Sequence, residues 1–231
     1  MRIDAVIIAV ILILLLWWMH QRTRNAIRKK RRAMYDDCLP LFTDIDITQD
    51  DVNYPVLRAR YNSLEIVIEP LVDHIAVRKI PVLWLMVTLK SPVPYKSTLD
   101  YLVRPHNTEF YSPSTNLQHR LDVPQDWPQH ATLRTNDVEN TPPIDIVGCC
   151  VSRVFEDPKY KELLITPKGI RIVYLVDEAL RSHYMVLRQL MFENDHLDNM
   201  LVKRLIDILI QLHGDLSSNT EQLANNKVEN D

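Results

Sequence analysis

Hydrophobic and polar positions follow three regimes along the chain. Ala5 to Met19 is fifteen consecutive apolar residues, and the run reaches seventeen if it starts at Ile3 and accepts Asp4. Seventeen helical residues rise about 25 Å, the short end of a membrane span. Trp17 and Trp18 close the run, where an amphipathic indole suits the headgroup boundary. A helix apolar on every side must be wrapped by protein or by lipid, and little of this chain remains to wrap one. A cleaved signal peptide would carry its positive charge ahead of the apolar run and a small-residue site after it. Here the charge follows, and the exit reads Trp-Trp-Met-His-Gln-Arg. The pattern predicts an uncleaved transmembrane anchor over residues 1–21.

In the second regime the apolar period shortens to that of strands. Leu64-Glu65-Ile66-Val67-Ile68-Glu69 alternates, with Leu64, Ile66 and Ile68 on one face, and Pro81 to Leu89 is a near-continuous apolar run suited to a central strand covered on both faces. Leu99, Tyr101 and Val103 alternate again, with Ser91-Pro92-Val93-Pro94-Tyr95 between these two strands predicting a hairpin connection. Residues 104–145 hold six of the fourteen prolines and no sustained period, which predicts a long irregular connection. Strands return over Glu162–Ile165 and Ile170–Val176, joined by a Pro167-Lys168-Gly169 turn, with another expected from about Tyr184 to Phe192.

The third regime is helical. Leu197, Met200, Leu201, Leu205, Ile208, Leu209 and Leu212 recur at spacings of three and four, predicting an amphipathic helix from Asp195 to about His213. Gly214 suits its end, and the polar residues 214–231 read as a disordered tail. The expected fold class is α+β: a single N-terminal transmembrane helix, then a β-rich, mainly antiparallel cytoplasmic domain closed by a C-terminal amphipathic helix. Its parts are the anchor (1–21), a basic juxtamembrane helix (22–35), an acidic tether (36–55), and the domain itself (56–213).

Charge sharpens this division. Residues 1–32 carry eight basic side chains and one acid, leaving 19 basic against 29 acidic side chains, a formal −10, for residues 33–231. Arg22, Arg24, Arg28, Lys29, Lys30, Arg31 and Arg32 form a basic collar with no acid among them. By the positive-inside tendency the N-terminus lies outside and the body in the cytoplasm, at the cell inner membrane. The same seven side chains are expected at the membrane surface, where anionic headgroups attract each with about 1 kcal/mol. An acidic body argues against nucleic acid as a partner.

Chemistry is mostly excluded. Three isolated glycines rule out glycine-rich phosphate loops, and hydrolase elbows, zinc-protease motifs and kinase signatures are missing. Asp44, Asp46, Thr48 and Asp50 alternate like a calcium loop, but Gln49 and Pro55 stand where that loop needs Gly and Glu. Cys38, Cys149 and Cys150 fit a reducing compartment and make no Cys-x-x-Cys. Asp73-His74 is a weak acid–base pair, and Arg78, Lys79 and Arg104 are cations that could meet an anionic ligand. No catalytic set, cofactor or metal is expected. Binding residues are sought in the long connection, in His106, Tyr111, His119, Trp127 and His130, because irregular segments on a rigid sheet commonly carry them.

The sequence therefore predicts a bilayer-anchored protein whose domain binds a protein partner, as a scaffold or assembly module. The alternative is a membrane-tethered enzyme acting on a lipid or small metabolite through the histidines and aromatics of 104–145.

Overall fold

The structure, a computed structural model, describes residues 3–73, 80–106, 109–182, 184, 192–193 and 195–228. It is α+β, with a large antiparallel sheet and one long apolar N-terminal helix. Helix α1 (Ile3–Arg32) is 30 residues long. Its apolar stretch has a mean hydropathy of 1.8 over eighteen residues, with none of it buried against the rest of the chain. By length and composition α1 is able to cross a membrane.

Among the described residues nine strands follow in one sheet: β1 (Thr43–Thr48), β2 (Val56–Tyr61), β3 (Leu64–Asp73), β4 (Val82–Leu89), β5 (Leu99–Val103), β6 (His119–Leu121), β7 (Ala131–Thr135), β8 (Tyr160–Thr166) and β9 (Gly169–Glu178). Their spatial order is β1-β2-β3-β4-β9-β8-β5-β7-β6, every pair antiparallel. Helices α2 (Ile144–Val154) and α3 (Asn199–Val228) cover one face. The residues that alternate onto that face, among them Ile68, Leu85, Val87, Leu163, Ile165 and Ile172, form the main core with Val147 and Val151 of α2 and Val202, Leu205, Leu209 and Leu216 of α3. On the second face Val82, Trp84, Met86 and Val173 make a smaller cluster. Strand β4 is therefore buried on both sides, which its unbroken apolar run requires.

Several expectations are corrected. The stretch expected as an acidic tether contains the edge strand β1, and Tyr35, Cys38, Phe42 and Tyr54 around it are core residues. Thr43-Asp44-Ile45-Asp46-Ile47-Thr48 alternates with period two, and that alternation outweighs its acidity. Strands β4 and β5 form no hairpin, because β9 and β8 lie between them. Three strand spacings are about 14 Å, within reach of the connecting residues 90–98. The 104–145 connection is not uniformly irregular, since it holds β6, β7 and the first residues of α2.

The last helix begins at Asn199 and runs through Gly214 to Val228. A Cβ at Gly214 would meet nothing within 4 Å, so this glycine sits in an open helical turn and caps nothing. Leu216, fully buried, continues the apolar stripe past it and draws the expected tail into the helix. The strand expected from Tyr184 to Phe192 falls almost wholly outside the described residues.

Candidate functional site

Two arrangements stand out: the junction of α1 with the domain, and a strap of chain laid over the second face of the sheet.

At the junction the chain turns from α1 through a short 3-10 turn, Ala33–Tyr35, whose Met34 and Tyr35 are buried. The Tyr35 hydroxyl donates to the Pro55 carbonyl at 2.8 Å, with the Ile68 carbonyl 3.1 Å away. Leu197 donates its backbone N–H to the Met34 carbonyl (3.0 Å). Three of the seven collar cations turn toward acids or carbonyls of the domain. Arg24 pairs with Asp51, and Lys30 with Asp195 at 3.1 Å. Arg31 donates to the Val52 carbonyl and lies 4.6 Å from the Tyr54 ring centre. Arg22 instead stacks over Trp18, with 5.5 Å from guanidinium carbon to ring centre. The collar thus ties helix to domain, because an acidic body sits within reach of it; Arg28, Lys29 and Arg32 make no ion pair with the described residues.

The strap starts where β5 ends. Arg104 takes a left-handed backbone (φ +48°) and donates its N–H to the His130 carbonyl, while its guanidinium reaches the carbonyls of Pro158 and Tyr160. That Arg is committed to backbone oxygens, and Arg78 and Lys79, the cations considered with it, lie outside the described residues, as does His74. Lys161 then pins the strap from beneath, 2.8 Å from Glu109 and donating to the Val103 and Arg104 carbonyls. Glu109 also accepts the His106 backbone N–H at 3.0 Å. Further along, Arg171 bridges Glu162 (2.7 Å) and the Tyr111 carbonyl (2.9 Å). The Ser112 hydroxyl donates to Asp100 at 3.1 Å. Arg134 reaches the Ser114 and Leu117 carbonyls at 3.3 and 3.4 Å.

Asp100 and Glu162 are both fully buried, and one oxygen of each lacks a partner among the described residues. Burial, then the neighbouring Glu162 charge, holds the Asp100 carboxyl well above the ordinary carboxylate range. That shift favours the neutral acid at Asp100, beside the Glu162–Arg171 pair. Between the strap and strands β5 and β7 lies a cavity of about 220 Å³. Leu102, Thr132 and Arg134 floor it, and Pro105, Phe110, Ser114 and the Lys161-paired Glu109 are among the residues that wall it.

The five residues singled out from sequence do not converge. His106, half exposed, stands beside Glu109 at the strap's start. Tyr111 packs under the strap against the smaller apolar cluster. His130 is exposed next to Ala131, which pairs with Val103 at that same end of the sheet, whereas His119 pairs with Thr135 at the other end. Four strand residues, about 13 Å, separate the two ends. Trp127 is 3% exposed on the helix-covered face, 5.1 Å from Tyr101 ring to ring and tight against Gly148. Among the described residues no three metal-ligating side chains gather. Burial raises the Cys38 and Cys150 thiols, to about 12 and about 11, so both are inert at neutral pH; Cys149 is exposed and free.

Sequence reading passed over Asp100, Lys161, Glu162, Arg171 and Arg134. Their signal is a charged residue inside an otherwise apolar strand, as in Leu99-Asp100-Tyr101 and Ile170-Arg171-Ile172. Such a charge reads as solvent-facing until a strap is known to cover that face.

No protein-family model matches the chain, and no curated protein matches it in sequence. Among solved structures, the crystal structure of the mycobacterial trehalose monomycolate transport factor A, TtfA, matches with a TM-score of 0.36 at 7% identity, over 75% of this chain and 74% of that one. At that similarity the match bears on neither the fold nor the function.

Proposed function

We propose that the chain is a single-pass protein of the cell inner membrane, with its N-terminus outside and its α+β domain in the cytoplasm, and that the domain binds a protein partner as a scaffold or assembly module. One observation carries the anchoring. Every large apolar side chain from Val6 to Met19 is exposed in a helix whose base is fastened to a folded domain. Burying such a surface in lipid gains about 25 cal/mol for each Å² removed from water, and nothing in the described chain offers it cover. The collar supports the orientation. Its cations stand between a bilayer and an acidic body that anionic headgroups would repel. The partner-binding role draws on the strap and the loops of 104–145, which are held on a rigid sheet.

The test has two readouts on the full chain expressed in cells. Membranes washed with alkaline carbonate should retain it, and a form lacking residues 1–21 should appear in the supernatant. In vivo crosslinking with mass spectrometry should then recover one stoichiometric protein partner. Release of the full chain by carbonate, or repeated failure to recover any partner, contradicts the corresponding half of the reading.

A further inference from the structure

We propose that the cavity beneath the strap binds a carboxylate borne on a short apolar stem, with Arg134 as the carboxylate's counter-charge and Phe110 closing over the stem. This goes beyond the partner-binding reading and does not depend on it.

Three cations stand at or beneath the strap, and two of them have carboxylate partners. Lys161 is matched by Glu109, and Arg171 by Glu162. Arg134 faces Asp100 directly across β5 and β7, yet Asp100 is engaged by Ser112 and Arg134 turns to two long contacts with carbonyls. Arg134, in the floor of the cavity, is therefore left without a carboxylate partner among the described residues. A guanidinium presents a planar fork of donors that suits a carboxylate in bidentate fashion.

The remaining surfaces specify the rest of the ligand. Thr132 and Ser114 line the cavity beside Arg134 and add polar surface to it. Leu102 and Pro105 offer an apolar wall, and Phe110, 61% exposed, stands at the rim where a stem would pass. A volume of about 220 Å³ suits a short branched acid or the last residue of a peptide. Those two sources share one chemistry and are separable by experiment.

The experiment titrates the full chain, held in lipid nanodiscs, with isovalerate, with a pentapeptide ending in a free leucine carboxylate, and with that peptide's amide, followed by calorimetry. Saturable binding by isovalerate identifies a small free acid as a sufficient ligand. Binding by the free peptide alone identifies a chain terminus, and either result supports the site. In both cases Arg134→Gln should weaken binding about 10–100-fold, the range for loss of a charged hydrogen bond. Phe110→Ala, at an exposed position that tolerates change, should weaken it severalfold, and neither variant should shift the unfolding midpoint appreciably. Three results overturn the proposal: equal binding by the amide, undiminished binding by Arg134→Gln, or no binding by any of the three ligands at millimolar concentration. A protein partner still recovered by crosslinking from Arg134→Gln leaves the partner reading intact while this site fails, so the two failures are distinguishable.

Discussion

The Lys161 ammonium lies 2.8 Å from the Glu109 carboxylate, with the two side chains only 2% and 3% exposed. A pair so desolvated holds the strap to the sheet only while both partners are present. Lys161→Met leaves Glu109 as an uncompensated buried charge, and the domain should lose about 3–5 kcal/mol. Adding Glu109→Leu removes that charge and should restore most of the loss. Urea unfolding of both variants in detergent checks the pair; a double variant no more stable than the single one contradicts it.

Asp100 gives the fold a pH dependence of its own. In the unfolded chain this carboxyl titrates near 3.8, and in the folded chain burial and Glu162 hold it well higher. The neutral form therefore contributes stability in full below about 3.8, and that contribution is lost as pH rises through the folded-state value. Asp100→Asn stays neutral throughout. The stability difference between variant and wild type should shift in the variant's favour as pH climbs through this window. A difference independent of pH would show that folding does not raise the Asp100 pKa.

Two glycines should respond oppositely to the same change. At Gly169 (φ +153°) a Cβ would stand 2.1 Å from the Leu89 carbonyl oxygen, so Gly169→Ala must displace a backbone segment of β4. The expected cost is about 2–3 kcal/mol. Gly214 lies inside α3 with open space around it, and Gly214→Ala should stabilise by about 0.5–1 kcal/mol. Thermal unfolding of the two variants side by side measures both signs.

Trp127 separates core from surface among the residues chosen from sequence. Trp127→Ala should cost about 3–5 kcal/mol, because the indole fills the space between Tyr101 and Gly148. His119→Ala and His130→Ala, at exposed positions, should stay within about 0.5 kcal/mol of wild type. A Trp127 variant as stable as wild type would mean that the indole is not packed in the core.

Much of the frame was legible where one physical signal acted alone. The apolar run of α1, the doubly buried β4 and the 3.6-residue stripe of α3 each follow from periodicity. What escaped depended on contacts distant in sequence. Acidic Thr43–Thr48 reads as a tether until β2 is there to pair with it, and the order of β4 and β5 is decided by the β8–β9 hairpin that separates them. Trp127 looks like a loop aromatic because Gly148, which receives it, comes 21 residues later. The charged set beneath the strap was hidden for the same reason, since no local pattern says that the face bearing Asp100 and Glu162 is covered.

Cys149, exposed while Cys38 and Cys150 are buried, supplies a native reporter for the side of the membrane on which the domain lies. Intact and permeabilised cells are treated with a membrane-impermeant maleimide, membranes are washed with carbonate, and label is read on the full chain, with Cys149→Ser as the blank. The proposed topology gives no label in intact cells, strong label after permeabilisation, and all of it in the membrane pellet. Label in intact cells would place the domain outside, and label in the carbonate supernatant would remove the anchor.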